Sequence, residues 1–324
     1  MSEAIRSIRT HTCYHLKRKI ASGGMGTVYE AEQYGAEGFV KTLALKTLLP
    51  QLSRTPIFVE LFIEEAKLVA DLVHPNIVQI YQFDRYDDGY FIAMEYIEGV
   101  TVADFIQRHR ELDRPIPADL ASFIVSRVCR GLEYAHNKRD RNGKLLGIVH
   151  RDVCPNNVMI NREGEVKLTD FGVAKVKNYM GSLEGSYLVG KKAYRSPEQA
   201  AAHRTDERSD LYSLGLVYFE LLTKTNRFEA SCHGLELDPL SYRPDIPPEM
   251  LDILNKSLAP YPADRYASAS EMCTALEMLM YSKGYGPTIV KLARYLNELY
   301  AGRLPYRPVN THQLETTVLI GDPR

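Results

Sequence analysis

Residues 148–157 read IVHRDVCPNN, and thirteen positions after Asn157 stands Asp170-Phe171-Gly172. No other stretch constrains this chain as tightly. Asp152 can accept the proton of a hydroxyl, and Asn157, five residues on, can offer an amide oxygen to a metal ion. A second carboxylate, Asp170, follows after room for one short hairpin. A base for an attacking hydroxyl and two oxygen donors for Mg²⁺ are what phosphoryl transfer from ATP requires. A polar surface loop is the plainer alternative for HRD by itself, and the ordered series around it argues against that.

The surroundings suit a soluble enzyme. Of 324 residues, 45% are hydrophobic and 25% charged, enough for a substantial core and, at this length, two lobes. Lys plus Arg is 40 and Asp plus Glu is 41, so a net charge of −1 gives no electrostatic reason to expect nucleic acid or a membrane surface as partner. Five scattered cysteines with no CxxC pair argue against a disulfide framework or a zinc site and fit a reducing cytoplasm. The N-terminus lacks the apolar core of a signal peptide, and no apolar run is long enough for a transmembrane segment.

Periodicity divides the chain. Strands are expected over 14–21, 27–33, 40–48, 77–83 and 90–96, with one helix over 58–72. Beyond Gly99 helices dominate, over 101–109, 117–136, 206–223, 247–257, 268–279 and 286–300, with a small hairpin turning at Glu163-Gly164. Residues 1–13 read as a flexible leader, 14–95 as a β-rich lobe, 96–281 as a helical lobe, 282–304 as a helical extension and 305–324 as a tail.

Several residues then acquire candidate roles. Ser22-Gly23-Gly24-Met25-Gly26 joins two strands and opens no helix, which argues against a dinucleotide fold; its glycines let the backbone approach phosphates, or simply make a tight hairpin. Lys46 lies among apolar residues on a strand. Its expected partner is Glu65, with Glu64 as the solvated alternative, and the pairing would hold Lys46 against the α and β phosphates. Glu198 is expected to pair with Arg265 as an anchor of the larger lobe, and Asp210 to cap a core helix and brace the catalytic loop.

Taken in order and spacing, these elements resemble the eukaryotic-type protein kinases, specifically their bacterial Ser/Thr branch, from about Tyr14 to Met280. The resemblance implies an α+β, two-lobed fold, an antiparallel β-sheet lobe with one main helix and a mainly helical lobe. It implies ATP and Mg²⁺ as cofactors. Ile20, Val28, Ala44, Met94 and Met159 would enclose the adenine, with backbone groups of Glu95 and Ile97 bonding its edge. Ala21, Gly23, Gly24 and Gly26 would cover the phosphates, Asn157 and Asp170 would hold the metal, and Val69, Ile80, His150 and Phe171 would stack into a spine.

The departures from the family are specific. Ala21 replaces the first glycine of the loop. Cys154 replaces the Lys that normally neutralises the γ phosphate, and Gly190-Lys191 stands where the family has Gly-Thr. Lys191 is therefore expected to take over the charge beside Asp152; the alternative is a lysine in solvent and a weaker enzyme. Cys154 also invites an oxidation-sensor reading, against ordinary burial. Tyr179, Ser182, Ser186 and Tyr187 are candidate autophosphorylation sites, with Arg151 or Lys175 to receive the phosphate. In the tail, Thr316 and Thr317 precede Leu319 and Ile320, resembling sites that forkhead-associated domains read once phosphorylated.

The expected function is ATP-dependent phosphorylation of Ser or Thr hydroxyls in protein substrates. A pseudokinase scaffold is the rival supported by Cys154 and Lys191, and a small-molecule kinase is a second rival opposed by Ser196-Pro197-Glu198.

Overall fold

The computed structural model describes residues 6–9, 12–23, 26–87, 89–171 and 193–302. Gly24, Gly172, Lys175, Tyr179, Ser182, Ser186, Tyr187, Lys191, Thr316 and Thr317 lie outside the described residues, as does the side chain of Glu65. The chain separates into two units, one built from residues 6–63 with Ile80–Tyr96, the other from Glu64–Gln79 with 97–302.

The first unit is an antiparallel sheet of six strands in the order β1-β2-β3-β4-β6-β5. The strands are β1 Arg6–Arg9, β2 Cys13–Ser22, β3 Gly26–Tyr34, β4 Val40–Leu48, β5 Ile80–Tyr86 and β6 Gly89–Met94. The period-two alternation of side chains explains its core. Leu43 and Leu45 pack with Ile8, Tyr14, Leu16, Ala31, Phe91 and Ala93, and Tyr14 meets Phe91 edge-on at 5.3 Å. The intervening Ala44 and Lys46 therefore project from the opposite face. A short helix α1, Pro50–Ser53, precedes the main helix α2, Pro56–Ala70.

Two sequence expectations change here. The leader contributes β1, paired antiparallel with β2, because Ile8 is buried in the core; one apolar residue in four gives no readable period. The strand expected over 77–83 begins only at Ile80. Ile77 instead bridges Leu168 in the second unit, where Val78 N–H donates to the Leu168 carbonyl at 2.9 Å.

The second unit is helical around a small sheet, β7 Gly99–Thr101, β8 Val158–Asn161 and β9 Val166–Leu168. Its helices are α3 Val102–Glu111, α4 Ala118–His136, α5 Pro197–Ala200, α6 Glu207–Thr223, α7 Arg227–Cys232, α8 Pro248–Ser257, α9 Ala269–Tyr281 and α10 Ile289–Leu299. Residues 209–223 of α6 are buried all round, the pattern of a helix at the centre of a domain rather than on its surface. α3 starts at a reciprocal capping box between Thr101 and Asp104. α5 and α7 escaped the periodicity analysis because four and six residues are too few to show a helical repeat.

His109, fully buried on α3, has both ring nitrogens paired: Nδ1 donates to the Phe105 carbonyl at 2.7 Å, and Nε2 accepts from the Tyr295 hydroxyl at 2.8 Å. Burial pushes its imidazole from 6.5 down to about 4, although the Phe105 carbonyl acts the other way. Between those values the unfolded chain binds a proton that the folded unit does not. Stability is therefore complete above pH 6.5 and falls as the pH drops toward 4, by about 3 kcal/mol at most from this residue. Thermal unfolding of the intact chain should shift to lower temperature across that window, and His109→Gln should flatten the dependence. An equally steep profile in the variant would contradict the assignment.

Candidate functional site

The loop ahead of β8 is held by a carboxylate it does not contain. Asp210, completely buried in the first turn of α6, accepts the backbone N–H of His150 at 2.8 Å and of Arg151 at 2.6 Å. It also accepts from His136 Nε2, at the end of α4, at 2.9 Å. Three donors on one carboxylate make short, charge-assisted bonds that offset its desolvation. Asp210 thus braces the loop as expected, but it is not the helix cap. That role belongs to Asp206, whose side chain accepts the Arg208 N–H at 2.9 Å.

Within the loop the hydrogen bonds define protonation as well as shape. His150 Nε2 lies 3.0 Å from the Thr169 carbonyl, so it carries the proton, and Nδ1 accepts the Asp152 N–H at 3.2 Å. Burial lowers the His150 pKa, against the pull of Asp210 and Asp152, so the ring is a neutral strut. Arg151 and Asp170 both occupy the left-handed region, at φ 61° each, a conformation that surrounding contacts must enforce. Gln199 on α5 supplies one such contact, donating to the Arg151 carbonyl at 3.1 Å.

Asp152 and Asn157 are brought together. The Asn157 amide nitrogen donates to the Asp152 main-chain oxygen at 2.9 Å and to Asp152 Oδ2 at 3.1 Å. Its amide oxygen is thereby the group left to face a cation. Thr169 N–H donates to the Asn157 carbonyl at 2.9 Å, which ties the start of β8 to the chain just before Asp170. Two oxygen donors suit Mg²⁺, which keeps water and phosphate oxygens in most of its coordination positions. Phe171 is buried and meets His150 edge-on at 4.5 Å. Cys154 is only 3% exposed, which removes the accessibility an oxidation sensor needs.

In the first unit the strand register gathers the remaining candidates on the face opposite the core. Val28 pairs with Lys46, and Lys46 with Ile92, while Ala44 pairs with Met94. Ala21 lies opposite Val28, with Ile20 at the irregularity beside it. Lys46 is 8% exposed, an unusual setting for an ammonium group and one that calls for a counter-charge. Gly23 N–H donates to the Gly26 carbonyl at 2.8 Å, closing the loop. Gly26 is dictated by sterics: a Cβ there would lie 2.4 Å from the Thr47 carbonyl oxygen on β4. Glu64 is exposed. In the second unit Ile97 is buried and Met159 half-buried on β8.

The Ser196-Pro197-Glu198 element forms as expected and is fixed by a fork-to-fork pair. Arg265 donates from two nitrogens to the two oxygens of Glu198, both at 2.8 Å, and Ser209 Oγ adds a bond at 2.7 Å. Burial acts to raise the Glu198 pKa, but the bonds from Arg265 and Ser209 outweigh it and bring the carboxyl down to about 2. Sequence reasoning missed His136, Gln199 and Asn76. Asn76 Nδ2 donates to the Val166 carbonyl at 2.8 Å, fastening the loop after α2 to β9. Gln199 and Asn76 bond main-chain carbonyls, and His136 a buried carboxylate, of partners distant in sequence, and no local pattern announces that.

Comparison with known proteins agrees with this geometry. The family model described as the protein kinase domain matches residues 14–276. The chain is 35% identical over 292 residues to the tyrosine-protein kinase MasK of Myxococcus xanthus, covering 87% of this chain and 45% of MasK. It is 33% identical over 268 residues to the serine/threonine-protein kinase PrkC of Bacillus subtilis, covering 80% of this chain and 39% of PrkC. It therefore spans less than half the length of these relatives. The crystal structure of the Mycobacterium tuberculosis PknI kinase domain superposes with a TM-score of 0.61 at 27% identity, covering 82% of this chain and 94% of that one.

Breaking the buried ion pair leaves a charge without its partner. Arg265→Met should destabilise the second unit by about 3–5 kcal/mol in denaturant unfolding. A loss below 1 kcal/mol, the order of an exposed pair, would show that Arg265 does not anchor this element.

Proposed function

The chain belongs to the protein kinase family, and we propose that it transfers the γ-phosphoryl group of ATP to Ser and Thr hydroxyls of proteins, itself included. The observation that carries this reading is the Asp152–Asn157 pair, hydrogen-bonded in a loop pinned by Asp210. Asp152 orients the acceptor hydroxyl and takes its proton as the bond to phosphorus forms. Asn157 and Asp170 are the proposed Mg²⁺ ligands. Bound there, the ion supplies charge neutralisation at the phosphates. Lys46, with Glu65 as the proposed counter-charge, holds the α and β phosphates. The backbone of the loop around Gly23, Gly24 and Gly26 covers them. Ala21 belongs to that loop; Ile20, Val28, Ala44, Met94 and Met159 provide the apolar surface for adenine, and the backbones of Glu95 and Ile97 bond its edge.

Arg151 Nε is buried and has no hydrogen-bond partner among the described residues, which suits a receiver for phosphate on the segment after Phe171. The base and both metal ligands are present, so the pseudokinase reading rests on Cys154 and Lys191 alone. Among the described residues no helix is long and apolar enough to cross a membrane, and we place this part of the protein in the cytoplasm. A forkhead-associated domain reading phosphorylated Thr316 or Thr317 is the proposed tail partner. We place the lobes at 14–95 and 96–281 and the helical extension at 282–304, between the leader, 1–13, and the tail, 305–324.

Tyrosine as acceptor is a second reading, favoured by the name of MasK. Incubation with radiolabelled ATP and Mg²⁺, followed by phosphoamino-acid analysis, separates the two. Phosphoserine and phosphothreonine are expected on the wild type, and Asp152→Ala should lower the rate by about 10²–10⁴-fold. Phosphotyrosine alone would overturn the Ser/Thr assignment, and undiminished labelling of the variant would overturn the role of Asp152.

Lys191 is proposed to supply the positive charge that Cys154 lacks. Lys191→Ala should then reduce kcat about tenfold or more, as loss of a group that stabilises developing charge does. Lys192→Ala should have little effect. Equal, small effects of both would end the proposal.

A further inference from the structure

Helix α10 lies beyond the residues matched by the family model, which ends at 276, yet it is built into the second unit. Leu292, Tyr295, Leu296 and Leu299 form a buried stripe at helical spacing. Toward its C-terminus the helix meets α3. Tyr295 bonds His109 and stacks on it at 5.7 Å, Phe105 packs edge-on against Tyr295 at 6.1 Å, and the Tyr300 hydroxyl donates to the Asp104 carbonyl at 3.3 Å. Lys291 pairs with Asp119 at the start of α4.

Its first turns meet something closer to the chemistry. Gly164, at φ 83°, is the turn of the β8–β9 hairpin. A Cβ at Gly164 would lie 2.2 Å from the Ile289 carbonyl oxygen and 2.7 Å from the Ala293 nitrogen. The hairpin therefore presses its turn, backbone to backbone, on α10. Its open end leads on one side to Asn157 and on the other to Asp170. β7, which pairs with β8, ends in Thr101, the cap of α3, so α10 reaches the same small sheet by a second route. Strands of three and four residues do not hold an orientation by themselves.

We propose that α10 is a positioning element for the kinase reaction: by holding the turn of the β8–β9 hairpin and the start of α3, it sets Asn157 and Asp170 for the metal ion. This deepens the kinase reading and rests on it. Gly164, Leu292, Tyr295 and Leu296 are the residues through which it acts, and none of them touches the reacting atoms.

The experiment uses the full chain, with Gly164→Ala, Tyr295→Phe and the double variant Leu292→Asp/Leu296→Asp. Val290→Asp, on the exposed side of α10 at 66% exposure, is the control. Hydrogen–deuterium exchange without nucleotide or metal should speed up over 157–170 in Gly164→Ala and the double variant, and stay unchanged in the control. The Mg²⁺ concentration for half-maximal autophosphorylation should rise about tenfold, the usual size of effect for groups that orient metal ligands, while KM for ATP changes little. Tyr295→Phe, which leaves the His109 Nε2 without its donor, should show the same changes to a smaller degree. Exchange and Mg²⁺ dependence equal to wild type in the folded variants, even with a lowered Tm, would overturn the proposal by reducing α10 to a stabilising helix. If the double variant does not fold, Gly164→Ala and Tyr295→Phe decide. If the wild type transfers no phosphate, the kinase reading fails, and the exchange data still decide whether α10 braces the hairpin.

Discussion

One buried carboxylate organises the catalytic unit. Asp210 sits where water cannot reach it, and a charge in such a place is tolerated only when donors surround it. Its donors come from the end of α4 and from two consecutive amides of the HRD segment. The central helix, the neighbouring helix and the catalytic loop therefore converge on one pair of oxygen atoms. The loop can then carry Arg151 in a left-handed conformation that an isolated peptide would avoid. His136 Nδ1 has no hydrogen-bond partner among the described residues, an unmet polar atom set against the bond from its Nε2 to Asp210.

From this anchor the order propagates outward. His150, neutral and buried, links the loop to the Thr169 carbonyl, while Thr169 N–H returns to Asn157. The two strands between Asn157 and Asp170 are thus closed at one end by hydrogen bonds and pressed at the other against α10. Gln199 ties the Ser196-Pro197-Glu198 element to the loop, and Arg265 ties that element to the helical core. In the other unit, strand alternation divides the labour: Leu43 and Leu45 of β4 build the core, and Ala44 and Lys46 are left for the opposite face.

Much of this was legible in the sequence because the relevant signals are local. Apolar residues around Leu43-Ala44-Leu45 mark β4, an apolar run marks α6, and HRD with its Asn and DFG mark the chemistry by identity and spacing. The Glu198–Arg265 pair was readable from the Ser196-Pro197-Glu198 and Asp264-Arg265-Tyr266 elements, since a buried charge needs a partner of opposite sign. What escaped has a common physical character. β1 is too short to show a period, and the start of β5 was displaced because Ile77 finds a partner on β9. Asp210 was recognised as a brace but misread as a cap, since an Asp near a helix start suits either role until its donors are known. Gln199 and the contact of Gly164 with α10 depend on main-chain atoms of distant residues, and His136 on the carboxylate of a residue far along the chain, which local sequence does not encode.

The central claim is that phosphoryl transfer depends on a loop held in shape by Asp210, and Asp210→Asn tests it with almost no change of volume. The variant keeps one acceptor oxygen and replaces the other with an amide that repels the N–H groups of the loop. Single-turnover phosphoryl transfer should be compared with ATP binding in the same protein. The account predicts that the transfer rate falls about 100-fold, as misplacement of a reacting group by about 1 Å does, while ATP affinity is retained. A transfer rate equal to wild type would contradict it.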